Sequence, residues 1–97
     1  MANTNTLTTI QNTIDTLKGE YYDLANHYDD MLEWATASYR VVCKCEQNAE
    51  VDDATMEEIY NKHEILMGLV NETEEELTKY KNTIKHLENA YWEMRGI

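Results

Sequence analysis

The feature that most constrains the fold of this chain is a helical stripe that occurs twice. From Leu7 to Cys45, and again from Met56 to Met94, mostly apolar residues recur at steps of three and four. Such spacing places side chains in one line along an α-helix. Residues 47–53, between the stripes, are mostly polar and offer a natural place for the chain to reverse direction. The sequence therefore predicts an all-α fold of two long helices.

The two stripes also predict how the helices pack. In an antiparallel coiled coil, position a of the seven-residue repeat on one helix meets position d on the other. With Leu7 at position a, every stripe residue has a partner such that the two residue numbers add up to 101. The predicted layers are Leu7 with Met94, Ile10 with Tyr91, Ile14 with Leu87, Leu17 with Ile84, Tyr21 with Tyr80, Leu24 with Leu77, Tyr28 with Thr73, Met31 with Val70, Ala35 with Leu66, Ser38 with His63, Val42 with Ile59, and Cys45 with Met56. We therefore predict a single antiparallel coiled-coil hairpin domain, with helices of about residues 6–47 and 53–95 and a turn of about 48–53.

Glycine and capping residues bear on where these helices begin, end or bend. A glycine inside a helix costs about 1 kcal/mol relative to alanine, so a bend near Gly19 is one reading of the first stripe. The stripe nevertheless keeps its phase across this position, and we predict a continuous first helix. Asn5 or Thr6 can cap the first helix, and Asp52 or Asp53 the second.

One ionisable residue, His63, lies on the stripe and faces Ser38 in the predicted register. A buried polar layer of this kind fixes the register and direction of a coiled coil. We predict a hydrogen-bonded layer, with a pH-sensitive or ligand-contacting histidine as the alternative.

Charge limits the classes of partner. The chain has 19 acidic and 8 basic residues, a formal net charge of -11. Nucleic-acid backbones and anionic membranes would repel such a surface, so we expect no direct nucleic acid and no membrane partner. No apolar run is long enough to span a bilayer and no secretion signal is visible. We expect a cytoplasmic protein.

Residues suited to catalysis or metal binding are scarce in this sequence. Helical-bundle metal sites place a glutamate three residues before a histidine, whereas His27, His63 and His86 follow other residue types at that spacing. No phosphate-binding glycine loop, nucleophile motif or zinc spacing is present. Cys43 and Cys45 project to nearly opposite sides of a helix and are expected to be reduced thiols. We predict no enzymatic activity, no metal and no cofactor.

Acidic residues gather at similar heights on the two predicted helices. The predicted acidic band comprises Asp23, Asp29, Asp30, Glu33, Glu72, Glu74, Glu75 and Glu76. One interpretation is a solvated surface that keeps the protein soluble. The functional interpretation is a rigid row of carboxylates that enters a basic groove and excludes the nucleic acid that the groove normally holds.

The half of the hairpin near the turn has more apolar residues than a pair of helices can bury. Besides the stripe, its apolar residues include Leu32, Trp34, Tyr39, Val41, Tyr60, Ile65, Met67 and Leu69. A surplus of this kind indicates an interaction surface. We predict either a homodimer that forms a helical bundle or contact with a foreign protein.

In its small size, acidity, helical content and lack of catalytic motifs, the chain resembles the small inhibitors that phages make against host defence, such as anti-CRISPR or anti-restriction proteins that imitate nucleic acid. The resemblance is to a class and carries over no site residues. It implies a protein that binds and blocks a basic, nucleic-acid-binding host protein in the host cytoplasm. The alternatives are a structural helical oligomer and a sponge for a small ligand or nucleotide.

Overall fold

The computed structural model describes residues 4–96, and over this range the chain forms two α-helices. Helix α1 runs over Thr4–Glu46 and helix α2 over Asp53–Arg95. The predicted all-α fold with two long helices is confirmed. Residues 1–3 and 97 lie outside the described range.

The start of α1 differs from the prediction. Asn5 and Thr6, the predicted caps, lie inside the helix, so the cap prediction at these positions is wrong. The Asn5 carbonyl accepts a hydrogen bond from the Thr9 side chain at 2.8 Å. Thr13 and Thr16 donate in the same way to the carbonyls four residues before them. Because threonine hydroxyls can bond back to the helix, this Thr-rich segment is compatible with helix despite its low propensity.

The two helices are continuous at their internal glycines. α1 passes through Gly19 and α2 through Gly68. Both glycines are exposed, and a Cβ added to either would meet no atom within 4 Å. The prediction of a continuous first helix is confirmed. Neither glycine is required by a neighbouring atom that would clash with a side chain or by a positive φ angle.

The chain divides into two compact units, each made from a part of both helices. The turn unit is Asn26–Glu74, and the terminal unit contains the helix residues up to Ala25 and from Glu75 onward. Each unit has the same basic construction, in which one stripe of α1 packs against one stripe of α2. In both units every stripe residue is buried or half-buried, and none is exposed.

Contacts in the turn unit confirm the predicted register. Met31, Ala35 and Val70 form its buried core, with Tyr28 and Leu66 packed against it. This cluster contains the predicted Met31–Val70 and Ala35–Leu66 layers. Full burial of a side chain the size of Met31 or Val70 contributes about 1.5–3 kcal/mol, and that of the smaller Ala35 contributes less.

Contacts in the terminal unit fall at the same register. The Tyr80 hydroxyl donates to Glu20 Oε2 at 3.1 Å, and Lys81 Nζ lies 5.9 Å from the centre of the Tyr21 ring. Both contacts adjoin the predicted Tyr21–Tyr80 layer. The hydrogen bond to the Glu20 carboxylate raises the pKa of Tyr80, so its hydroxyl keeps its proton at neutral pH.

The turn between the helices is built from side-chain caps. Asn48 Oδ1 accepts a hydrogen bond from the Glu50 backbone N–H at 2.9 Å. Asp52 Oδ1 accepts one from the Thr55 N–H at 2.7 Å, which makes Asp52 the N-cap of α2, as predicted. Hydrogen bonds from the Thr55 side chain and backbone lower the pKa of Asp52 because they favour its ionised form.

Replacing Gly19 or Gly68 with alanine should stabilise the protein. The added methyl group has open space at both sites, and alanine gains about 0.5–1 kcal/mol per site over glycine in a helix interior. Urea unfolding followed by circular dichroism would measure the change. A loss of stability at Gly19 would contradict a continuous α1, and Gly68→Ala provides the matched comparison on α2.

The Asp52 cap should make stability depend on pH. The native pKa of Asp52 is lower than its unfolded value, so its stabilising contribution is fully present above the unfolded pKa and is lost as pH falls through the native pKa. Asp52→Ala should therefore lower the melting temperature at neutral pH and have a smaller effect at about pH 2. Asp52→Asn, which keeps an acceptor oxygen that does not titrate, is the control. Its melting temperature should be close to that of wild type at neutral pH, and the difference between Asp52→Asn and Asp52→Ala should not shrink at about pH 2. An equal loss for Asp52→Ala at both pH values would contradict the role of the carboxylate.

Candidate functional site

The register sorts the exposed side chains of the turn unit onto two opposite sides of the helix pair. We call the side with repeat positions e and b the e-face, and the side with positions g and c the g-face. In an antiparallel pair, e positions of the two helices adjoin one another, as do g positions. One groove that contains Leu32 and Tyr39 of α1 and Met67 of α2 shows this arrangement directly. The two faces differ in shape and in charge.

An apolar groove runs along the e-face. Its lining residues are Leu32, Ala35, Thr36, Tyr39, His63 and Met67. Tyr39 is 59% exposed, and Leu32 and Met67 are more than a third exposed. The Tyr39 and His63 rings lie 6.1 Å apart between centroids. The groove is thus a shallow apolar surface with two aromatic rings in its wall.

Tyrosine hydroxyls on this face act as hydrogen-bond donors. The Tyr60 hydroxyl donates to Glu46 Oε1 at 2.7 Å, and this bond raises the pKa of Tyr60. A hydrogen bond with Cys43 is the main cause that raises the pKa of Tyr39. Both phenols therefore stay protonated at neutral pH, so neither adds negative charge to the face.

Every charged helix residue at an e or b position between Asn26 and Glu74 is acidic. These residues are Asp29, Glu46, Asp53, Glu57, Glu64 and Glu74. All of them are exposed. The charged e and b positions of this face are therefore all carboxylates, an arrangement that attracts a basic surface. At neighbouring f positions, Glu33 and Arg40 share a second depression with the groove residues Leu32 and Thr36.

The g-face is apolar at its centre and mixed in charge around it. Trp34 is 54% exposed and Ile65 is 66% exposed, with Val41 and Leu69 close to half exposed. The rings of Trp34 and His27 meet edge to face, 6.2 Å apart. The charged residues at g and c positions of the turn unit are Asp30, Lys44, Glu58, Lys62 and Glu72, of which Lys62 and Glu58 form an ion pair at 3.0 Å.

Ser38 and His63 form the predicted polar layer beneath the e-face groove. Ser38 Oγ and His63 Nδ1 are hydrogen-bonded at 2.9 Å. Both residues are half-buried. The layer links the two helices at one register and also places the imidazole in the wall of the groove.

The residues of the predicted acidic band are all exposed but do not share one side. Asp29 and Glu74 lie on the e-face, Asp30 and Glu72 on the g-face, and Glu33 at an outward f position of the turn unit. Asp23, Glu75 and Glu76 belong to the terminal unit. The e-face also contains Glu46, Asp53, Glu57 and Glu64, which were not predicted as part of the band. Their positions in the seven-residue repeat are the signal that identifies them.

All eight predicted apolar surface residues are exposed, but they divide between the two faces. Leu32, Tyr39, Tyr60 and Met67 lie on the e-face, and Trp34, Val41, Ile65 and Leu69 on the g-face. Exposed aromatic residues of the terminal unit, Tyr22 and Trp92, were not singled out from the sequence. The guanidinium carbon of Arg95 lies 5.1 Å from the centre of the Trp92 ring, so a cation covers one side of this exposed ring.

Within residues 4–96, no three His, Cys, Asp or Glu side chains are grouped so that they would hold a metal ion. Cys43 and Cys45 are free and half-buried. Over the same residues, neither helix contains an apolar stretch that would cross a bilayer.

No protein-family model matches this chain, and neither a curated protein nor a solved structure is significantly similar to it.

The polar layer gives a direct test of the register. Ser38→Ala leaves His63 without its cross-helix partner and should cost about 1 kcal/mol of unfolding free energy. In a double-mutant cycle with His63→Leu, the coupling energy should be about 0.5–1.5 kcal/mol. Equilibrium urea unfolding of the four proteins measures it. Zero coupling would mean that the Ser38–His63 bond contributes nothing to the pairing of the helices.

Proposed function

We propose that this chain is a non-enzymatic binding protein that attaches to a basic surface of another protein through the e-face of its turn unit and blocks that surface. The observation that carries the proposal is the composition of the e-face. Its groove exposes Leu32, Tyr39 and Met67, and all charged helix residues on this side of Asn26–Glu74 are carboxylates.

The apolar groove and its acidic border supply two different contributions to binding. Burial of apolar side chains removes them from water and favours association, and lost translational and side-chain freedom offsets part of that gain. The carboxylates steer a basic partner into place and disfavour acidic competitors. The formal net charge of -11 also attracts a basic partner at longer range, before the two surfaces meet. Apolar contact thus holds the complex, and charge selects the partner.

The nature of the partner follows from what this surface repels. Nucleic acid carries dense negative charge and is disfavoured at a carboxylate-lined face. A protein with a basic nucleic-acid-binding groove presents the opposite charge, and a helix bearing carboxylates competes with phosphates there. The resemblance to small phage inhibitors implies a partner of this kind in a host defence complex.

The experiment begins with purification of the tagged chain from a host extract at low salt and identification of the retained protein. Binding of that purified partner is then measured by titration calorimetry at low and high salt. Affinity should fall steeply with salt, because paired surface charges are screened. Addition of nucleic acid that the partner binds should displace the chain. Salt-independent binding would overturn the proposed charge selection.

A pair of matched variants locates the site. Asp29→Asn with Glu64→Gln removes two charges from the e-face, whereas Glu72→Gln with Glu75→Gln removes two from c and f positions that do not line the groove. The e-face pair should weaken partner binding about tenfold or more, and the second pair should have little effect. Equal effects would mean that overall charge, and not the e-face, attracts the partner.

The apolar contribution is tested by Met67→Glu, with Tyr22→Glu in the terminal unit as the control. Met67 lines the groove, whereas Tyr22 lies outside the turn unit, and both are exposed. Met67→Glu should abolish measurable binding, and circular dichroism should show unchanged helix content. If Tyr22→Glu abolished binding and Met67→Glu did not, the partner would bind outside the turn unit and the e-face proposal would fail.

A further inference from the structure

The g-face carries a second apolar surface that the e-face proposal does not use. From Asp30 to Lys44 of α1, its c and g positions are, in order, Asp30, Trp34, Ala37, Val41 and Lys44. All five are exposed. Steps of four, three, four and three residues keep them in one line on a helix. On α2, Ile65 and Leu69 widen this row with two more exposed apolar side chains.

The row on α1 is close to symmetric about Ala37. Trp34 and Val41 lie on either side of it, three and four residues away, and Asp30 and Lys44 lie seven residues away at the two ends. The ends therefore carry opposite charges, the intermediate positions are large and apolar, and the centre is small. When such a row meets a reversed copy of itself, unlike charges oppose each other at both ends.

We propose that two copies of this chain form a two-fold dimer through their g-faces, with the two α1 helices packed antiparallel and crossing at Ala37. Asp30 of each copy then faces Lys44 of the other, and Trp34 of each packs against Val41 of the other. The methyl side chain of Ala37 lets the two helix backbones approach closely at the crossing, where interaxial distances are about 8–10 Å. Ile65 and Leu69 cover the sides of the contact.

Charge selects the second copy as the occupant of this face and also selects the orientation. A parallel arrangement would place Lys44 near Lys44 and Asp30 near Asp30, which is unfavourable, whereas the antiparallel arrangement forms two opposite-charge pairs. The charged residues on the e-face are all carboxylates, so two e-faces would repel each other. An isologous dimer is also the commonest closed assembly of identical chains.

The first test is the oligomeric state, measured by analytical ultracentrifugation over a range of concentrations. The wild type should sediment as a dimer. Ala37→Glu places a charge at the crossing and should raise the dimer dissociation constant about 100-fold or more, with unchanged helix content because Ala37 is exposed in the single chain. Thr36→Glu, one residue away on the e-face, is the matched control and should remain dimeric. A monomeric wild type, or a dimeric Ala37→Glu variant, would overturn the proposal.

Charge reversal tests the orientation. Lys44→Glu alone and Asp30→Lys alone should each weaken the dimer about tenfold, since each places like charges together. The double variant restores opposite charges across an antiparallel contact and should recover most of the wild-type affinity. A double variant that is weaker than either single variant would exclude the antiparallel pairing.

A covalent test locates the two-fold axis. In a background with Cys43→Ser and Cys45→Ser, Ala37→Cys places one thiol in each copy at the crossing, and mild oxidation should give a disulfide-linked dimer because bridged Cβ atoms lie about 3.8 Å apart. Thr36→Cys in the same background should not crosslink. Crosslinking of Thr36→Cys in place of Ala37→Cys would put the second copy on the e-face and overturn the assignment. These measurements need no foreign partner, so their outcome is independent of the proposed binding function.

Discussion

The structure depends on the packing of one stripe of α1 against one stripe of α2. Two helices that pack only on each other can bury one line of side chains each, and all the buried hydrophobic residues of residues 4–96 lie on these stripes: Ile14, Met31, Ala35, Val42, Val70, Leu77 and Ile84. Any large apolar residue of α1 or α2 that is off the stripe is therefore exposed. The e-face groove and the g-face row exist because a core made of two helices cannot bury all the apolar residues of this chain.

The register of that stripe determines the character of both faces. A shift of one residue between the helices would part Ser38 from His63, which are bonded at 2.9 Å. The lost hydrogen bond would cost about 1 kcal/mol. The same shift would move Leu32 away from Met67 and break up the groove that they share. A polar layer of modest stabilising value thus determines which surface side chains lie together.

Much of this arrangement is predictable from the sequence, because helical periodicity is a local property and antiparallel pairing is simple arithmetic. The Met31–Val70, Ala35–Leu66 and Ser38–His63 layers follow from residue numbers alone. The acidic surface was harder to predict. The pairing of residue numbers shows how far along the helix axis a carboxylate lies, but its position in the seven-residue repeat is also needed to show which face it is on. Asp29 and Asp30 are neighbours in sequence but lie on different faces. Side-chain contacts such as Tyr60 with Glu46 also depend on rotamers, which periodicity does not specify.

The two proposed interactions are compatible because they use opposite sides of the same helix pair. Packing through the g-face buries Trp34 and Val41 but leaves Leu32, Tyr39 and Met67 accessible on the outer side of each copy. A two-fold dimer would then present two acidic grooves facing in opposite directions. Two linked sites raise the apparent affinity for a partner that offers two basic surfaces by about 10²–10⁴ when both are engaged together. Because a single pair of helices offers only a narrow contact, dimerisation supplies a physical route from a weak individual site to effective blocking of a repetitive or oligomeric partner.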